Sequence, residues 1–149
     1  MSNINQLITE VLNIKNKKLY RSGSIQDIKI FSPKNPIKTH NKSFDNKQLV
    51  YATDDIEYAA GFCFSWSNSQ GFEFGRIDQG SWTLEVPKEY KNKLNHKCSM
   101  YELENNTFKK INMRTPEYYS IEPVKVVKEI KFNSCYKCLK KYNVILKII

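Results

Sequence analysis

Ile4, Leu7, Ile8, Val11 and Leu12 recur at the i, i+3, i+4 spacing of a single helix face. With Ser2 as a cap, they predict an N-terminal helix over residues 2–16. The basic run at 15–18 breaks that pattern, and LYRSG at 19–23 reads as a short strand ending at Gly23. Residues 24–48 hold Pro33, Pro36 and many polar residues without periodicity, which predicts a long turn-rich loop. LVYAT at 49–53 is a second strand. Asp54 or Asp55 then caps a helix whose Ala59, Ala60, Cys63 and Phe64 form a packing face. Gly71, Gly75 and Gly80 among Ser, Asn and Gln mark 67–80 as loop. SWTLEVP at 81–87 alternates and stops at Pro87, and EYKNKL fits one helical turn. CSMYELE at 98–104, EYYS at 117–120 and VKVVKEIKF at 124–132 complete the strands. Alternation fails around Val127, which predicts a bulge or a two-sided strand. Residues 135–149 fit helix and strand equally. A helix, strands, a second helix and more strands indicate an α+β domain rather than repeated βαβ units.

At 149 residues, with 40% apolar and 13% aromatic content, the chain has the size and core of one domain, 1–149. Its apolar runs are too short to cross a bilayer as helices. The first ten residues lack a basic stretch leading into an apolar one, which favours a cytoplasmic protein. The net charge of +9 is uneven: residues 1–51 and 87–149 are basic, whereas 52–86 carry six acids against Arg76 alone. Basic ends attract phosphates. A Lys-rich surface is more often simple solvation, and clustered arginines, the better phosphate ligands, are absent.

The segment VYATDDIEYAAGFCF, residues 50–64, carries the most specific chemistry. It resembles the core of diphtheria-toxin-like ADP-ribosyltransferases, in which a strand ending in Tyr, a small residue and Thr enters an Asp-capped helix containing Ala-Ala-Gly-aromatic. The resemblance implies that Tyr51 and Phe62 sandwich the nicotinamide of NAD; a cationic ring is well held between aromatic faces. LYRSGS at 19–24 resembles the family's first strand, with Arg21 where that branch has histidine and another branch has a dinucleotide-gripping arginine. Ser22 and Thr53 would bind the cofactor beside them. EYYSIEPVKVVKEI, residues 117–130, is similar to the late strand, which makes Glu117 the residue that steadies the cation as nicotinamide leaves. Glu122 is the next candidate, and the Glu102/Glu104 pair follows. The implied fold has two small, mostly antiparallel sheets forming an NAD cleft, into which Arg21, Tyr51, Phe62 and Glu117 should converge, with the 24–48 loop closing over it.

Each residue also has an ordinary reading: Tyr51 and Phe62 as core, Arg21 as surface, Glu117 as a turn residue. Cys135-x-x-Cys138 could join His96 and Cys98 around zinc, but His96-Lys97-Cys98 is too tight for the usual second ligand pair, so no metal is assigned. His40 and His96 lack a nucleophile motif with any cysteine. The resulting expectation is NAD-dependent ADP-ribosyl transfer to a protein or nucleic-acid acceptor, or NAD glycohydrolysis. Its alternative is a non-catalytic nucleotide-, nucleic-acid- or protein-binding module on the same fold.

Overall fold

The computed structural model describes residues 16–33, 48–111 and 115–149. The expected N-terminal helix and the middle of the 24–48 loop lie outside them, as does His40. In chain order the elements are β1 (Leu19–Gly23), β2 (Ile30–Phe31), β3 (Val50–Thr53), α1 (Ile56–Ala60), β4 (Glu73–Gly75), β5 (Thr83–Val86), β6 (Cys98–Leu103), β7 (Lys109–Lys110), β8 (Glu117–Ser120), β9 (Val124–Phe132), α2 (Cys135–Lys141) and β10 (Ile145–Ile148). Short 3-10 turns occupy Asn68–Gln70 and Lys88–Asn95. The domain is α+β. A seven-stranded antiparallel sheet runs β2-β9-β6-β1-β3-β8-β7, and a three-stranded sheet runs β10-β5-β4 with β10 parallel to β5.

Several expectations need correction. The 67–80 stretch contains β4, whose Phe74 pairs with Leu84, so its glycines punctuate a strand. Residues 24–33 include β2, which hydrogen-bonds to β9. The helix after β3 is shorter than the apolar pattern suggested and stops at Gly61. A Cβ on Gly61 would lie 2.2 Å from the Phe74 ring, so glycine permits this close approach. Residues 135–149 form both alternatives in turn: helix α2, a reversal at Asn143 with φ 60°, then β10. Asparagine tolerates that left-handed conformation. The bulge is where the broken alternation placed it. Glu102 pairs with Lys128 and Leu103 with Val126, leaving Val127 as the extra residue.

The cross-strand register divides the large sheet into two faces, because directly opposed residues point the same way. Leu19, Val50, Ala52, Tyr101, Leu103 and Tyr118 lie on one face in a core joined by Ile28 and Phe31; we call it the back face. Tyr20, Cys98, Met100 and Phe132 lie on the other. There they pack with Ala59 and Ala60 of α1, Leu139 of α2, and Leu84 and Val86 of the small sheet; this is the helix face.

Candidate functional site

Helix α1 is fixed by its cap. The Asp55 carboxylate accepts from the backbone N–H groups of Glu57 and Tyr58 at 3.0 and 3.1 Å. Thr53 Oγ1 in turn accepts from Asp55 N at 3.1 Å. Thr53, expected to touch a cofactor, is 5% exposed and ties the strand end to the helix start. Its cross-strand partners are Tyr20 on β1 and Glu117 on β8. Tyr51 lies two residues earlier, opposite Tyr119. By alternation Tyr51, Thr53, Glu117 and Ser22 all belong to the helix face, and Ser22 Oγ donates to the Ala59 carbonyl of α1.

Glu117 is held on this face by a residue that the sequence reading missed. The Tyr58 hydroxyl donates to Glu117 Oε1 at 2.5 Å. Burial, and then the Glu117 bond, push the Tyr58 phenol well above its usual range, so it remains a proton donor. Tyr58 sits one helical turn before Phe62, and its ring meets Phe62 and Trp82 at centroid distances of 5.1 and 4.9 Å. Phe62 itself stacks on Trp66 at 5.4 Å with an 11° interplanar angle and is 41% exposed. Trp82 donates its indole N–H to Asp55 Oδ2 at 2.9 Å, and Arg76 lies 4.6 Å from the Trp82 ring centroid and 3.7 Å from Asp55. Arg76 and Trp82 stand in segments without helical or motif signals, and only the tertiary fold brings them to Tyr58.

The expected convergence fails at Arg21. Arg21 pairs with Tyr101, shares its side of β1 with Leu19, and so projects onto the back face, away from Tyr51 and Glu117. Its guanidinium lies 4.8 Å from the Phe31 ring centroid and reaches round only as far as the Tyr51 carbonyl, at 3.5 Å. Burial lowers the Arg21 pKa from its ordinary value. Arg21 is therefore withdrawn as a catalytic or dinucleotide-gripping residue. Arg76 is a cation beside the aromatic cluster on the helix-face side, against Trp82.

Of the other candidate glutamates, Glu102 also lies on the helix face, opposite Tyr20. Glu122 lies in the turn after β8, where Ser120 Oγ bonds its backbone. Glu102 pairs with Tyr20 and Lys128 on the sheet, and Glu104 N donates to Lys125 O. Asp54, next to the cap, accepts from Lys17 Nζ at 3.0 Å and from the Tyr118 hydroxyl at 2.9 Å. The assembled helix face thus offers one carboxylate fixed by a phenol beside a bank of aromatic rings. That arrangement suits a flat, electron-poor or cationic ligand. No family model matches this chain, and searches of curated proteins and solved structures return no match either. Among the described residues, no helix is long and apolar enough to cross a membrane.

Proposed function

We propose that the helix face around Tyr51, Tyr58, Phe62 and Glu117 binds NAD through its nicotinamide end, on an ADP-ribosyltransferase-like fold. The proposed reaction is ADP-ribosyl transfer to a protein or nucleic-acid acceptor, or hydrolysis of the same glycosidic bond. The observation that carries this reading is the position of Glu117 opposite Thr53, on the face of Tyr51, with Oε1 held by Tyr58. Breaking the nicotinamide–ribose bond builds positive charge on the ribose, and a fixed carboxylate stabilises that charge mainly in the transition state. The phosphate grip assigned to Arg21 drops out of this reading, and Arg76 takes its place as the nearby cation.

A second reading is favoured by the orientation of Arg21: a nucleotide-binding module on this face without catalysis. The strand arginine expected to grip the dinucleotide is absent from the face that holds Glu117. The two readings separate in one experiment. NAD binding is measured by calorimetry and nicotinamide release by chromatography, for the native chain, Glu117→Gln and Tyr51→Ala. The enzyme reading expects Glu117→Gln to lower release by about 10²–10³-fold with binding nearly unchanged. It expects Tyr51→Ala to weaken binding first. NAD binding without release, with or without acceptors, supports the module. No NAD binding by the native chain defeats both NAD readings.

A further inference from the structure

The chain has four cysteines, and all four are buried. They come from three separate places: Cys63 just past α1, Cys98 at the start of β6, and Cys135 and Cys138 on α2. The fold brings them to one point. The Sγ atoms of Cys63, Cys98 and Cys138 all lie within 4.8 Å of one another. The Cys135 thiol meets the side chains of both Cys63 and Cys98. Its Sγ also lies 3.3 Å from the His96 carbonyl and 3.7 Å from the Cys63 carbonyl. The His96 side chain, by contrast, is exposed, so the set considered from spacing gains Cys63 and loses the imidazole.

Buried cysteines commonly act as small apolar residues, and one or two here would need no further account. Packing alone gives no reason for every cysteine of a chain to meet from three distant segments. The spacing of the Cys63, Cys98 and Cys138 sulfurs is close to that of a coordination shell, with the Cys135 thiol beside them. Zinc–thiolate bonds of about 2.3 Å in a tetrahedron put neighbouring sulfurs about 3.8 Å apart. Closing the Cys63, Cys98 and Cys138 sulfurs, now within 4.8 Å of one another, onto an ion therefore needs shifts on the order of 1 Å or less, and the Cys135 thiol turns in as the fourth ligand. All-sulfur tetrahedral sets select zinc or iron rather than magnesium or calcium.

We propose that Cys63, Cys98, Cys135 and Cys138 bind one zinc ion in a closed, structural four-thiolate site. Four thiols release their protons to solvent as four Zn–S bonds replace water on the ion, with no change of oxidation state. All four positions are filled by protein, so the ion has no open site for a substrate. The site ties the segment that leaves α1, in which Phe62 directly precedes Cys63, to β6 and α2. It stands independently of the nucleotide reading.

The test uses the full chain, purified under reducing conditions without added chelator. Elemental analysis should find about one zinc per chain. Protein stripped by chelator and titrated with Co²⁺ should show tetrahedral d–d bands and thiolate-to-cobalt charge transfer. His96→Ala should retain the metal, whereas Cys63→Ser should lose it or bind it far more weakly. Native protein that carries no zinc and gives no thiolate–cobalt spectrum overturns the proposal, whatever the variants do. So do intact disulfides among these cysteines in freshly isolated protein, or iron in place of zinc. If Cys63→Ser fails to fold, the cobalt spectrum of the native chain decides alone.

Discussion

The two faces of the large sheet use their apolar surface for different ends. The back face is a packing device. Leu19, Val50 and Tyr101 are completely buried, and the Tyr101 hydroxyl is spent on backbone between β1 and β2: it donates to the Ile25 carbonyl at 2.7 Å and accepts from Ile28 N at 3.2 Å. On the helix face, polar groups are linked from one element to another. Ser22 reaches α1, Tyr58 reaches β8, and Trp82 reaches the cap of α1. An aromatic bank stays partly open beside them, and the thiols of Cys63, Cys98 and Cys138 meet behind it in the same core. The difference teaches where chemistry is to be sought in this fold. Side-chain networks beside partly open aromatic rings hold groups in fixed positions that a ligand can reach, whereas a face filled with buried apolar side chains mainly holds the sheet.

The largest expected effect tests the packing role. Leu19→Ala removes a fully buried side chain from a central strand and should cost about 2–5 kcal/mol of stability. Urea unfolding measures it. The fraction that remains folded should bind nucleotide as the native chain does. A loss of stability below 1 kcal/mol would mean that the back face is not a core and that the contrast between the faces is wrong.

Tyr58→Phe has a smaller effect and acts on the other face. It keeps the ring contacts to Phe62 and Trp82 but removes the donor to Glu117. The expected stability loss is about 1 kcal/mol, since Glu117 is half-buried and water replaces part of the bond. Under the enzyme reading, nicotinamide release should fall about tenfold, equivalent to 1.4 kcal/mol, while NAD binding holds. Release that is unchanged would show that Tyr58 does not position the carboxylate.

Much of this fold can be read from alternation alone. LYRSG forms β1 as bounded, SWTLEVP contains β5, and the broken pattern near Val127 marks the bulge. The period of two also tells which residues share a face within a strand: Leu19 with Arg21, Tyr51 with Thr53. It cannot tell which face of β1 joins which face of β3. That depends on cross-strand register, here Tyr20 opposite Thr53, and a one-residue slip would reverse it. Arg21 was misassigned for this reason. The cysteine cluster was hidden for a related one. Zinc sites announce themselves when ligands come in two local pairs, and here only Cys135 and Cys138 are local, while Cys63 and Cys98 arrive singly from distant elements. Tyr58 carried a weaker signal: it lies one turn before Phe62 on the capped helix, but its partner Glu117 is 59 residues away.

The smallest expected effect bears most directly on the separation of the faces. Arg21 projects onto the back face, where Glu129 also stands opposite Tyr101, but among the described residues no carboxylate forms a salt bridge with Arg21. Its compensation is the Phe31 ring and the Tyr51 carbonyl. Cation–π contacts contribute roughly 0.5–2 kcal/mol. Desolvation of the guanidinium works against that gain, as the lowered pKa of Arg21 shows. Replacing a buried charge by an apolar side chain of similar length often leaves stability unchanged or improves it. Arg21→Met should therefore change unfolding stability by less than about 1 kcal/mol in either direction. Nicotinamide binding should change little, because the substitution touches the site only through the Tyr51 carbonyl. If Arg21→Met folds normally but loses NAD binding, the guanidinium serves the ligand directly and the two faces are not separate. If it folds normally and binds NAD, the face opposite Arg21 holds the ligand, and Arg76→Met becomes the variant expected to weaken the phosphate end.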